Sequence, residues 1–153
     1  MHKPDRKIRF LRHFAGFTRH LPLNLLIRMS GKRCILPFYH TVSDRHLPHI
    51  RPLYAYHSAS SFRRELAFLL RHFQPASVEE FIMRHGCRPG KNQFLLSFDD
   101  GLRDIKETVV PVLKEKGIPA IFFINTGFVD NRALFFKHKA ALLYEAWRQK
   151  AQL

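Results

Sequence analysis

Asp99 and Asp100 stand side by side at the end of an apolar run, Phe94-Leu-Leu-Ser-Phe98, and Gly101 follows them. Adjacent side chains on an extended backbone point to opposite sides. Two neighbouring carboxylates can therefore take different tasks, one on a metal ion and the other on the proton of a water or substrate. Gly101 admits backbone angles closed to other residues and lets a ligand approach. The plainer alternative is an Asx turn, in which Asp and Gly simply close a strand. A short apolar run bounded this way reads as a strand covered on both faces. In parallel α/β sheets the carboxyl end of such a strand is where ligands bind.

The elements that must position this pair can be read from the pattern. Arg33–Tyr39 is an apolar run of strand length, with Pro37 suggesting an edge or irregular position. His40–Ser58 reads as a long polar loop. Ser60-Ser61 can cap a helix with apolar face Phe62, Leu66, Leu69, Leu70 and Phe73. Ser77-Val-Glu-Glu80 has the form of a capping box opening a short helix that Gly86 ends. After Asp100, a helix is expected over about 104–116, irregular at Pro111 and stopped by Gly117. A second buried strand is expected at Ala120–Ile124, then a loop and a final helix over 132–149. Strand, helix, strand over 94–124 is a βαβ unit, so its strands should be parallel. The fold class is α/β.

The chain has 153 residues and a formal net charge of +14, from 26 Lys and Arg against 12 Asp and Glu. Residues 1–33 hold nine of the basic side chains and one acidic one, so the excess is concentrated at the N-terminus. Ile8, Leu11, Phe14, Phe17, Leu21, Leu25 and Met29 fall at helical spacing within this segment, with Pro22 dividing two runs. A basic amphipathic helix of this kind can lie on a membrane surface or dock on its own domain; both readings stay open. Arg12, His13, Arg19 and His20 interrupt every candidate signal-peptide core, and nothing approaches the ~18 apolar residues of a span. Cys34 and Cys87 lie far apart with no Cys-x-x-Cys spacing. They read as two free thiols in a reducing compartment. The expected location is thus cytoplasmic or peripheral on a membrane. The Phe residues fall on apolar faces and no helix-turn-helix or zinc-finger pattern is present, so no nucleic-acid partner is expected.

Ser97-Phe-Asp-Asp-Gly101, then a helix, then Gly117-Ile-Pro-Ala-Ile-Phe-Phe-Ile124 resembles the opening of the polysaccharide deacetylase family, the NodB homology domain of carbohydrate esterase family 4. The family's pattern has Thr at the positions of Ser97 and Ile121. Pro37-Phe-Tyr-His-Thr-Val42 is similar to a Tyr-His-x-Val segment of its exopolysaccharide branch. The resemblance covers residues 34 to about 130. It implies a distorted (β/α) barrel that hydrolyses N- or O-acetyl groups of a carbohydrate with a divalent metal, zinc foremost. It implies Asp99 as general base, Asp100 as metal ligand and His40 as a further site residue orienting the base or the acetyl oxygen. For His40 the alternative is a loop histidine bonded to backbone.

The family's metal site also needs His-Ser/Thr-x-x-His downstream. After Asp100 the chain has only His138. His57-Ser-Ala-Ser-Ser61 and His46-Leu-Pro-His49 lie upstream and are not convincing replacements. One carboxylate holds a divalent ion weakly, and so few strands cannot close a barrel. The expectation is a basic amphipathic segment over 1–32 and, over 33–153, the N-terminal half of a deacetylase domain, inactive alone. The competing reading is a non-catalytic module whose basic arm binds an anionic surface.

Overall fold

Two extended runs form the spine of the computed structural model, which describes residues 15–16 and 20–151. The first run holds β1 (Cys34–Ile35) and β2 (Phe38–Tyr39), the second β4 (Gln93–Phe94) and β5 (Leu96–Phe98). They pair in parallel in one continuous register, Cys34 with Gln93 and Tyr39 with Phe98. The break at Leu36-Pro37 is tolerated because the ladder there uses the Pro37 carbonyl, which accepts from the Ser97 N–H at 3.1 Å. β3 (Gln74–Pro75) lies along the other edge of β4, and β6 (Ala120–Phe122) along the other edge of β5. The strand orders are β1-β4-β3 and β2-β5-β6, all parallel. The class is α/β, and the 94–124 unit has the expected parallel strands.

The expected single strand 94–98 is therefore two short pieces, and the second strand is shorter and less buried than its apolar run suggests. β6 ends at Phe122, and Phe123 and Ile124 are 56% and 60% exposed. No strand pairs with the far edge of β6 among the described residues. Among the described residues nothing covers Phe123 and Ile124, although their apolar run reads as buried.

Among the described residues four further α-helices surround this spine after α1 (Leu23–Ser30), which buries Ile27 in the core and leaves Leu25 and Met29 exposed. Those two residues belong to the expected N-terminal apolar stripe; Ile8, Leu11, Phe14 and Phe17 lie outside the described residues. α2 (Ala59–His72) buries Phe62, Leu66 and Leu69, with Phe73 just beyond its end, while Leu70 faces solvent. Its cap is Ser58, not Ser60 or Ser61: the Ser58 hydroxyl accepts from the Ser61 N–H at 3.2 Å. α3 (Val78–Met83) keeps half of its capping box. Ser77 accepts from the Glu80 N–H, but the Glu80 side chain turns instead to Arg88. After Asp100 the helix opens as a π turn over Ile105–Val109 before α4 (Val110–Lys116). The wider turn accommodates Pro111, whose ring would otherwise press on the preceding turn.

α5 (Phe136–Lys150) is inside out. Its buried residues are His138, Ala141 and Glu145, whereas Phe136, Leu143 and Trp147 are each about two-thirds exposed or more. The cysteines expected to be free are joined: Cys34 and Cys87 form a disulfide, with Cα atoms 5.8 Å apart. It ties the start of β1 to the segment after α3. Sequence separation concealed a proximity that the parallel pairing creates, and the inference to a reducing compartment falls with the thiols.

Candidate active site

The site is built on a row of aromatic rings. Tyr39, Phe98 and Phe122 occupy one register level of β2, β5 and β6. Tyr39 and Phe98 stack at 5.4 Å, Phe98 and Phe122 at 5.3 Å, and Phe62 of α2 meets Tyr39 and Phe98 edge-on. This face belongs to the helical layer. Side chains alternate along a strand, so Phe38, Ser97 and Ile121 take the opposite face, where Phe38 is 64% exposed. The ladder runs one step further, with the Asp99 N–H donating to the Tyr39 carbonyl at 2.9 Å. Asp99 and His40 thus stand at neighbouring strand ends, level with one another and just past the aromatic row.

Asp100 and Gly101 then take consecutive left-handed conformations, with φ of 69° and 66°. For Gly101 this is inexpensive, and the position is also crowded: a Cβ there would lie 3.2 Å from Ile124 Cγ2. For Asp100 it is uncommon, though short polar side chains tolerate it better than others. The turn ends the strand abruptly and leaves both carboxylates half-buried at its carboxyl end.

The segment expected as a polar loop, 40–58, is a packed structure. Val42 and Ile50 are fully buried, Val42 bridges to His57, and the Ser43 N–H donates to the His57 carbonyl at 3.0 Å. The Tyr56 hydroxyl donates to the Arg45 carbonyl and accepts from the Leu47 N–H. Arg45 locks the loop to the helix behind the carboxylates, its Nη2 donating to Asp104 at 2.9 Å and to Glu107 at 2.8 Å. Tyr54 is carried inward by this loop. Its ring lies 4.9 Å from that of His40, and burial, then the Asp100 charge, pushes its hydroxyl up to about 12. The buried hydroxyls of Tyr54 and Thr41 have no hydrogen-bond partner among the described residues.

Asp100 also lines a cavity of about 140 Å³ with Gly101, Asn125, Phe135 and His138. His138 meets His49 of the loop edge to face, centroids 5.5 Å apart. Burial lowers the affinity of both imidazoles for a proton. For His138 the neighbouring His49 adds to this and Asp100 opposes it; for His49 Asp104 opposes it. Residue spacing passed over this pair because the two histidines come from distant parts of the chain. His138 as the one histidine after Asp100 was the available signal. His46 and His57 do not join them; His57 instead lies 3.7 Å from Glu65. Among the described residues no group of three His, Cys, Asp or Glu side chains is arranged to hold a metal ion. The residues present do not make a complete site for the divalent metal that the resemblance implies.

The family model for polysaccharide deacetylase matches residues 87–148. Solved structures similar in fold include those of three proteins. One is a de-N-acetylase from Aggregatibacter actinomycetemcomitans, with 21% identity and a TM-score of 0.52, over 63% of this chain and 39% of that one. Another is IcaB from Ammonifex degensii, with 22% identity and a TM-score of 0.53, over 74% of this chain and 49% of that one. The third is the Streptococcus pyogenes deacetylase PplD, with 19% identity and a TM-score of 0.52, over 71% and 51%. The matched region thus spans about half, or less, of the length of these proteins. No curated protein matches the chain in sequence.

Proposed function

We propose that this chain, which carries a polysaccharide deacetylase family segment over residues 87–148, supplies the carboxylate half of a centre that removes acetyl groups from a carbohydrate. The observation that carries this reading is the placement of Asp99 and Asp100. They end the central strand of a parallel sheet, inside the matched segment, where ligands meet such sheets. In this reading residues 33–153 are the first part of a distorted (β/α) barrel and 1–32 a separate basic segment.

Asp99 is the general base that takes a proton from the attacking water. His40, level with it on the next strand, orients the base or the acetyl oxygen. The hydroxyls of Tyr54 and Thr41, buried without partners, leave hydrogen-bonding capacity beside His40. Asp100 is the residue that matches a ligand position in the family's motif. When bound in the complete enzyme, a divalent ion, zinc foremost, supplies an acidified water and polarises the acetyl carbonyl. The residues described here give it one matched carboxylate and no group of three, so no step in this chain is assigned to it. The 153-residue chain alone is therefore expected to be inactive.

The test is acetate release from an acetylated oligosaccharide, using the 153-residue chain and the longest natural product containing it. The chain alone gives no rate above buffer. The longer protein turns over, and Asp99→Asn there lowers kcat by about 10²–10⁴-fold, the usual contribution of a positioned base. Full activity in Asp99→Asn, or acetate release by the short chain without added metal, overturns the assignment.

A further inference from the structure

The sheet has a second end, opposite Asp99 and Asp100, with a composition of its own. β1, β3 and β4 are parallel and in register, Cys34 with Gln93 and Gln74 with Gln93, so all three enter the sheet from the same side. The residues just before them are brought together: Arg33 ahead of β1, Arg71 and His72 ahead of β3, Lys91 ahead of β4. Arg28, in the last turn of α1, joins them around a cleft of about 550 Å³. The lining holds no carboxylate. Arg28, Arg33, Arg71 and Lys91 are exposed, and none of them is ion-paired among the described residues.

Several arginines elsewhere in the domain are held differently. Arg45, Arg63, Arg88 and Arg103 are each matched by a carboxylate. The four cations of the cleft have no such partner among the described residues, and exposed apolar side chains lie on the helices that carry two of them. Leu25 and Met29, one helical turn apart on α1, are 43% and 67% exposed, and Leu70 on the cleft wall is 39% exposed. The sequence leading into α1 continues the same charge, with Lys3, Arg6, Lys7, Arg9, Arg12 and Arg19 against Asp5. Cations flanking apolar knobs suit the boundary of an anionic bilayer. There, headgroup phosphates attract Lys and Arg, and apolar side chains enter the acyl margin. A nucleic acid uses the cations but has no place for Leu25 and Met29.

We propose that this end of the domain docks on an anionic lipid surface, with Arg28, Arg33, Arg71 and Lys91 on the headgroup phosphates and Leu25 and Met29 in the interface. Docked so, the carboxyl ends of β2 and β5 face away from the bilayer, and Asp99 and Asp100 are presented to the surrounding medium. The inference stands on the cleft and does not depend on the deacetylase reading.

The test is co-sedimentation of the full 153-residue chain with vesicles of phosphatidylcholine alone or with one-third phosphatidylglycerol, in about 0.1 M salt. The chain partitions onto the mixed vesicles and not onto phosphatidylcholine. R71E/K91E, at an unchanged melting midpoint, partitions at least tenfold less, since each cation near such a surface is worth about fivefold. Met29→Ser lowers partitioning by a few-fold at constant charge. Should R71E/K91E fail to fold, R28Q/R33Q carries the same expectation. Undiminished binding by the folded cleft variant overturns the proposal, because the N-terminal arm alone then suffices. So does tighter, R71E/K91E-sensitive binding to duplex DNA than to the mixed vesicles.

Discussion

The rings of His49 and His138 meet edge to face with centroids 5.5 Å apart, joining the loop after β2 to the first turns of α5. Both imidazoles are disfavoured as cations, chiefly by burial. The charged groups facing them are Asp104, itself held by Arg45, and Asp100; the Phe135 ring packs on His138 at 5.6 Å. The carboxylates oppose the shift without reversing it. His138 also lines the Asp100 cavity, so the protonation state of the pair bears on stability beside the site.

The sign follows from where the proton binds. Each imidazole has its folded-state pKa below the ordinary value of 6.5, so the unfolded chain takes the proton first. Stability is full above about pH 6.5 and falls as pH drops through and below it. Glu80, Glu107 and Glu115, all held low by arginines, lose their contribution in a separate window below their ordinary 4.5. Urea midpoints at about pH 7.5 and 5.5 should differ, and His138→Asn should flatten the difference. An unchanged pH dependence in that variant contradicts the account.

A carboxylate at a left-handed position predicts a trade between stability and function. Asp100 has φ 69°, which an L-residue adopts at a cost of order 1 kcal/mol. Asp100→Gly should leave the fold as stable as wild type or about 0.5–1 kcal/mol more stable, while removing a carboxylate of the proposed site. Gly101→Ala should go the other way. It meets φ 66° and Ile124 Cγ2 at 3.2 Å, so a loss of about 1 kcal/mol or more is expected. Denaturant midpoints of the two variants, measured together, decide it.

The disulfide predicts a redox-dependent stability. Cys34 and Cys87 close a loop of 53 positions, for which chain-entropy arguments give roughly 4 kcal/mol. Purified oxidised protein should show no titratable thiol under denaturing conditions. Cys34→Ser/Cys87→Ser should lose about 2–4 kcal/mol relative to it. Two free thiols in the oxidised preparation, or equal stability of the variant, contradict the bond.

What was legible in the sequence was local. The 3.6-residue spacing of Phe62, Leu66 and Leu69, the Gly117 stop, the Pro111 irregularity and the parallel pairing of the strands flanking Asp99 all follow from short-range rules. What was hidden depended on partners far along the chain. The Cys34–Cys87 bond and the His49–His138 contact arise only once the strands are stacked in register. The packing of 40–58 was hidden for a different reason. Its His and Pro content masks Val42, Leu47 and Ile50, which are buried through turns that carry no periodicity. The spacing of apolar residues also does not say which face of α5 turns inward: His138 and Glu145 do so, while Phe136, Leu143 and Trp147 face solvent.

That reversed helix yields the last prediction. Trp147 is the only tryptophan in the chain and is 66% exposed, beside Leu143 at 72% and on the same helix as Phe136 at 67%. An exposed apolar face of this kind is an association site. The edge of β6, unpaired on its far side among the described residues, exposes Phe123 and Ile124 as well. The dilute 153-residue chain should therefore show the red-shifted, readily quenched emission of a solvated indole. Raising the concentration, or adding a polypeptide that pairs with the free edge of β6, should shift that emission to the blue and protect it from quenching. L143K/W147K should suppress self-association in sedimentation without lowering the melting midpoint, since neither side chain is in the core. A blue, unquenchable emission from the dilute monomer would mean that α5 already packs its apolar face inward.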